Sequence, residues 1–297
     1  MKHLGNKDGS YAVYSTKVDK TLLDKIPRDL GRIESKIENQ SFVGDDVWNV
    51  REMTFLLQNG LPIAGTLKIV YSSISEYMVE SKSLKLYLNT FDMTKMGTTL
   101  EIATYNVERR VQRDLENILE TNVFVSLFFN EEKSLVFKDN YKDIFTVLKE
   151  EGYKIEDLST FDDYTVQKSH LKFQKSKTFK SDIFISTNIL RSRCEHTFQK
   201  DSGHAFFHII TEGGYITTES LLRHIVSLRE KAKFHENCCE KLVSDISKVE
   251  GVVDCMVMLL YARRGGIDIN PVRATREELI PKELISINNL TQKLMMQ

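Results

Sequence analysis

Short apolar runs flank Asn59-Gly60, from Val50 to Leu57 on one side and from Leu61 to Tyr71 on the other. Asn-Gly between such runs favours a tight turn with positive φ, so the pattern predicts a β-hairpin. From Leu100 to Leu119 the spacing becomes helical, with Ile102, Tyr105, Val111, Leu115 and Leu119 forming a stripe in a polar background. Asn122 to Phe129 and Lys133 to Lys138 predict another strand pair, turning at Asn130-Glu131-Glu132. Two more strands are expected at 182–190 and 204–212, then a helix from Glu219 to Lys231 with Leu221, Leu222, Ile225 and Leu228 on its apolar face. Thr217 or Thr218 would cap that helix, a hydroxyl accepting from a free backbone N–H. A second helix, Phe234 to Lys248, carries Phe234, Cys238, Leu242, Ile246 and Val249 near i, i+4 spacing. Val252 to Tyr261 is a strongly apolar strand, followed by a turn at Arg263 to Gly266 and a last strand at Ile267 to Pro271.

The same order of elements is written twice. The expected fold is α+β: two tandem ββααββ modules with antiparallel sheets and helices on one face. Residues 1–45 read as a polar, irregular arm, 46–140 as the first module, 141–180 as a connector and 181–297 as the second module. The connector is rich in Lys, Asp, Ser and Thr, with one short helix expected at Asp143 to Glu150. The tail from Thr275 is charged and is expected to be peripheral.

Composition narrows the class. Apolar residues make up 41% of the 297-residue chain and charged residues 28%, enough for a sizeable core in a soluble protein. The net charge of -1 provides no global field to recruit nucleic acid or an anionic membrane, though it leaves a local nucleic-acid contact open. No run reaches the ~18 apolar residues of a membrane span, and Met1 to Asn6 lacks a signal-peptide core. The four cysteines, Cys194, Cys238, Cys239 and Cys255, show neither CxxC spacing nor metal-ligand spacing. Reduced thiols in a cytoplasm, and no metal, are expected.

Four polar stretches could carry chemistry. Cys194 stands seven residues before Asp201, between two predicted strands. A thiolate can attack an electrophilic carbon while a nearby acid protonates the atom that gains charge. A lone cysteine is more often a small buried hydrophobe. Glu80 to Tyr87 holds one carboxylate, two lysines and two serines. Such a stretch is a solvated edge, or a helix start where backbone N–H groups with Lys82 and Lys85 meet phosphate while Glu80 meets a polar ring. Phe234-His235-Glu236-Asn237 opens a helix, where an acid is favoured by the dipole alone or reads donor groups of a ligand beside a proton-handling imidazole. Arg263-Arg264-Gly265-Gly266 is a tight turn, or a place where guanidinium groups and exposed backbone meet phosphate.

Together these stretches resemble one family, the NADPH-dependent 7-cyano-7-deazaguanine (preQ0) nitrile reductases of queuosine biosynthesis, in their long two-module form. The family's E-S-K-S-L-K-L-Y-L-N-S-F is matched from Glu80 to Phe91 with one change, Thr90 for Ser. Cys194 and Asp201 fit its Cys, six residues, Asp; Phe234 to Cys238 fits F-H-E-x-C; Arg263 to Pro271 fits R-R-G-G-x-D-I-N-P. Pro27-Arg28 and the G-x-D-x-W pattern ending at Trp48 also match. The resemblance implies the tunnelling fold, a homodimer and reduction of preQ0 to 7-aminomethyl-7-deazaguanine (preQ1) at the expense of NADPH. It implies that Cys194 forms a covalent thioimide, that Asp201 donates a proton and that His235 assists. Glu80, Glu236 and Ser81 would bind the base, and Lys82, Ser83, Lys85, Arg263, Arg264 and Gly265 the cofactor.

The chain departs from the family around the thiol. Ser192-Arg193-Cys194 replaces S-N-C, Gln199-Lys200-Asp201-Ser202-Gly203 replaces Q-P-D-W-G, and Arg229 to Lys233 replaces a segment rich in His and Asn. Arg191, Arg193, His196, Lys200 and His204 add positive charge there. This leaves two other readings: a variant acting on preQ0 within a nucleotide or nucleic acid, and a non-catalytic purine- or pterin-binding protein of the same fold.

Overall fold

The computed structural model describes residues 17–37, 41–129, 140–158, 160–195, 198–295 and 297. The first half runs β1 (Lys25–Pro27), α1 (Arg28–Glu34), β2 (Val43–Leu57), β3 (Pro62–Ser72), β4 (Tyr77–Val79), α2 (Ser81–Asn89), β5 (Lys95–Gly97), α3 (Leu100–Leu119) and β6 (Val123–Phe128). The second runs β7 (Lys142–Asp143), α4 (Ile144–Glu150), β8 (Phe173–Arg193), β9 (Lys200–Ile216), α5 (Thr218–Val226), α6 (His235–Ser247), β10 (Val252–Tyr261), β11 (Ile267–Ala274) and α7 (Lys282–Ile285). The second half is thus ββααββ from β8 to β11. The first follows the same order through β6; the strand expected at Lys133 to Lys138 and its turn lie outside the described residues.

Both halves share one sheet, ordered β6-β3-β2-β11-β10-β9-β8-β7, with β5 beside β2. Its seam is the antiparallel pair β2–β11, where Trp48 faces Ile269 and Val50 faces Ile267. Gly44 begins the seam, and a Cβ there would collide with the carbonyl of Val272. Side chains alternate across a strand, so each strand feeds two cores. On β10, Val257, Leu259 and Tyr261 pack under the second pair of helices, while Met256, Met258 and Leu260 face the other way. In the first half Trp48, Ile69 and Tyr71 pack with Leu84, Tyr87, Val107, Val111 and Leu115 of α2 and α3. The helix α3 begins at Thr99, whose hydroxyl accepts from the Ile102 N–H (3.2 Å), and stops at Glu120, which turns to φ 55°.

Four local expectations are corrected. The arm is not irregular throughout: β1 pairs with β4, and α1 lays Gly31 against Asn237 of α6 with no space for a Cβ. Thr217 takes the N-cap position of α5 as expected, but its hydroxyl accepts no helix N–H; the Thr218 hydroxyl donates to Glu151 (2.6 Å), tying the helix to the connector. The charged tail is not peripheral. Leu279, Ile280, Leu284 and Leu294 cover the face of the sheet opposite the helices. β8 also starts earlier than expected, at Phe173, because Phe173 to Lys175 pair with Gly214 to Ile216 beyond a bulge.

The tail is anchored by one buried cation. Lys68 Nζ donates to the carbonyls of Leu284 (2.6 Å), Ser286 (2.7 Å) and Asn289 (2.8 Å). An ammonium has three protons, and each meets one carbonyl. Burial and then Arg51 push its pKa down to about 8, so it is still a cation at neutral pH. Lys68→Met leaves those carbonyls without donors and is expected to cost roughly 2–4 kcal/mol. Hydrogen exchange should then speed up selectively across residues 282–294; unchanged protection there would show that apolar packing alone holds the tail.

Candidate active site

The β8–β9 hairpin presents the thiol at its tip. Arg193 and Lys200 form the last pair of the ladder. The Cys194 N–H donates to the Gln199 carbonyl, and the Phe198 N–H returns to the Cys194 carbonyl, both at 2.9 Å. Arg193 braces the loop through a two-point ion pair with Glu230 (2.7 and 3.0 Å) and a bond to the Phe198 carbonyl. Cys194 is half-buried, whereas Cys238, Cys239 and Cys255 are fully enclosed. Burial pushes the Cys238 thiol up to about 11 and Cys255 to about 12. Asp201 lies on β9 itself, opposite Ser192, so the sheet register fixes the acid rather than the loop.

The start of α6 supplies the next two groups. His235 stacks flat on Tyr261, ring centroids 3.7 Å apart, and its Nε2 lies 3.4 Å from Asp201 Oδ2. The other Asp201 oxygen accepts from Arg264 Nη1 (2.7 Å). Burial pushes the Asp201 pKa up, but His235 and then Arg264 outweigh it and hold the group below the usual carboxylate range. Glu236 is the opposite case. Burial, then the neighbouring charge of Asp46, push it up to about 7 against the weaker pull of His235 and Arg28.

These residues share one cavity of about 330 Å³ with residues from the other half of the chain. Cys194, Asp201, His235, Glu236, Arg264 and Gly265 line it from the second half, and Ser81, Lys82 and Lys85 line it from α2. Trp48, Met78, Val79, Phe234, Ile267 and Ile269 form apolar walls. Gly265 has φ +60°, and a Cβ there would collide with the Lys85 ammonium. A glycine therefore lets the turn after β10 touch α2.

Four expected site residues are placed differently from that group or do other work. Glu80 caps α2, its Oε2 accepting from the Ser83 N–H (2.7 Å), with Lys82 3.7 Å from Oε1. It adjoins the cavity rather than lining it. The Ser83 hydroxyl faces the arm, accepting from the Asp24 N–H and donating to the Glu80 carbonyl. Arg263 is exposed outside the lining. Arg264 lines the cavity, but it is engaged with Asp201 and Gln199. The residue-by-residue reading missed Gln199, Lys233 and the walls. Trp48 was within reach, because the G-x-D-x-W pattern ends on it.

Part of the added charge near the thiol is neutralised. Arg193 pairs with Glu230, and Lys233 pairs with Glu34 of the arm and with Glu195; His196 lies outside the described residues. Among the described residues no three His, Cys, Asp or Glu side chains stand together as a metal site, and no helix is long and apolar enough to cross a membrane.

Comparison with known protein families gives two matches. Residues 14–127 match the family model for the N-terminal part of the nitrile reductase, 7-cyano-7-deazaguanine reductase. Residues 201–279 match that for QueF-like proteins. The two cover about two thirds of the chain.

A small alkylating reagent tests the placement of the thiol. The folded protein should take up one equivalent, mapped to Cys194, and Cys194→Ala should take up none before unfolding. Labelling at Cys238, Cys239 or Cys255 at a comparable rate would contradict their enclosure.

Proposed function

The chain belongs to the two-module nitrile reductase family of 7-cyano-7-deazaguanine reductases, and from that membership we propose that it reduces the nitrile of preQ0 to the aminomethyl group of preQ1, with Cys194 as nucleophile and NADPH as reductant. The observation that carries this is the meeting of Cys194, an ionised Asp201 and His235 with Glu236 in one cavity.

The Cys194 sulfur adds to the nitrile carbon. One S–C bond forms, one C–N π bond opens, and the thiol proton ends on nitrogen, giving a thioimide with no change in electron count. Because Asp201 rests as a carboxylate, it has no proton to give at first. It takes the proton of Cys194 and then passes it to the nitrile nitrogen, acting as base and then as acid. His235, stacked on Tyr261, holds the second carboxylate oxygen and steadies whichever form Asp201 adopts.

Glu236 suits the base. Its buried carboxyl is poised near neutrality, and two adjacent N–H donors on a planar ring would draw it to the carboxylate through a pair of charge-assisted bonds. Ser81 lines the same cavity. Glu80 would join through Oε1, since Oε2 holds the Ser83 amide. The dinucleotide suits the mouth, where Lys82, Lys85, Arg264 and the bare backbone of Gly265 converge. When bound, it supplies hydride; nitrile to amine needs two hydrides and two protons. A homodimer in a reducing cytoplasm completes the proposal. A nucleotide or polynucleotide substrate gains nothing from Arg193 or Lys233, which are occupied by carboxylates.

Protein mixed with preQ0 alone should gain the mass of one substrate at Cys194, and Cys194→Ala should not. Added NADPH should be oxidised at two equivalents per nitrile; a stable complex without adduct or turnover would favour a binding protein. The affinity for preQ0 should also fall about tenfold per pH unit below about 7, where Glu236 must shed a proton to bind. Glu236→Gln should bind weakly with a flat profile over the same range, as isothermal titration would show.

A further inference from the structure

The turn after β10 joins two jobs in one side chain. Arg264 reaches inward to a buried carboxylate, Asp201, whose side chain is 3% exposed, while its own is 37% exposed at the cavity mouth. Its second nitrogen binds the side-chain oxygen of Gln199. The next residue, Gly265, lies against the ammonium of Lys85. No ion pair of Lys85 is found among the described residues, and Lys82 lines the same mouth. An anion drawn to these lysines arrives one residue from Arg264, whose guanidinium matches a phosphate as well as it matches a carboxylate. The guanidinium cannot serve both with the same N–H groups.

We propose that Arg264 is a positioning residue that switches Asp201 from base to acid: bound to Asp201 it keeps the carboxylate ready for the Cys194 proton during adduct formation, and drawn off by a phosphate of the dinucleotide it lets Asp201 take up a fresh proton from solvent and give it in the hydride steps that follow. The inference rests on the function proposed above. Among the described residues the ionisable groups facing Asp201 are few. His235 and Cys238 come from α6, Tyr261 from β10, Arg264 from the turn, and Cys194 from the hairpin tip. Cys238 and Tyr261 are held neutral by burial. With Arg264 gone, His235 alone opposes the push of burial toward the neutral acid. The order fits the chemistry. Thiol addition to the nitrile needs a base before any hydride arrives, and each hydride then needs a matching proton.

The test reads adduct formation and not turnover. The rate at which Cys194 gains the mass of preQ0 is measured across a pH series, with and without oxidised NADP, which carries the phosphates but no hydride. With preQ0 saturating at every pH, so that the Glu236 dependence of binding drops out, the wild-type rate should rise through a midpoint in the acidic range, and saturating oxidised NADP should move that midpoint up by about 1–3 pH units, the usual influence of an adjacent arginine on an aspartate. Arg264→Gln should start from the raised midpoint and show no further shift, while Arg264→Lys restores part of the response. Adduct formation by Arg264→Gln at high pH confirms that the variant is folded. If oxidised NADP binds by equilibrium dialysis and the midpoint stays put, if it does not bind, or if Arg264→Gln keeps the wild-type midpoint, the switch is overturned while the reductase reading stands. If the wild type forms no Cys194 adduct at any pH, the proposed function falls and the switch with it.

Discussion

A buried chain of alternating charge holds the molecule together where its halves meet. Arg28 of the arm donates to Asp46 of β2 (2.5 Å), Arg273 of β11 to the other oxygen of Asp46 (2.8 Å) and to Glu240 of α6 (3.2 Å), and Arg32 of α1 to Glu240 (2.9 Å). Arg273 also donates to the carbonyls of Asp45 and Val272. Charges this far from water are tolerable only in company, and removing one partner typically costs about 3–5 kcal/mol because the others are left uncompensated. The chain therefore fixes geometry more than it adds net stability. It demands that the arm, the two seam strands and α6 take up one arrangement, which sets the N-terminus of α6, with His235 and Glu236, over Trp48.

The same chain gives the site its electrostatics. Asp46 is kept ionised by Arg273 and Arg28 against its own burial, and its charge helps to keep Glu236 protonated near neutrality. Asp201, on the far side of His235, sits between two donors and is ionised. Two carboxyl groups in one cavity are thus pushed in opposite directions by their neighbours, the usual way for one site to hold both a proton acceptor and a neutral acid at the same pH.

Much of this was legible in the sequence, for physical reasons that can be named. Asn59-Gly60 and the apolar runs around it marked the β2–β3 hairpin because only certain residues accept that turn. The leucines from 221 to 228 marked α5, whose packing decides its position. The chemical residues were found because four short motifs, each ambiguous alone, together resemble one family: the stretch from Glu80, the Cys194 and Asp201 pair, Phe234 to Cys238, and the two arginines before two glycines. What stayed hidden depended on partners distant in sequence. Nothing local to Thr218 says that Glu151 will claim its hydroxyl, and nothing in a charged tail says that Lys68 will bind three of its carbonyls. Arg193 looked like added charge at the site until Glu230 stood beside it. Glu80 was read as a ligand group, and its carboxylate caps its own helix.

The seam also sets a timetable. Each half has a hairpin and a helix layer built from residues close in sequence, and such contacts form early because little chain entropy is lost in closing them. The pairing of β2 with β11 joins residues 43–50 to residues 267–274, across about three quarters of the chain. During synthesis that pairing must wait for the last strand to emerge, long after β2 has folded against β3 and the helices. Until then Lys85 has no Gly265 to rest on and Asp46 has no Arg273. The cavity is made late, and a chain stopped short of residue 267 has the thiol, the acid and the lysines without a place where they meet.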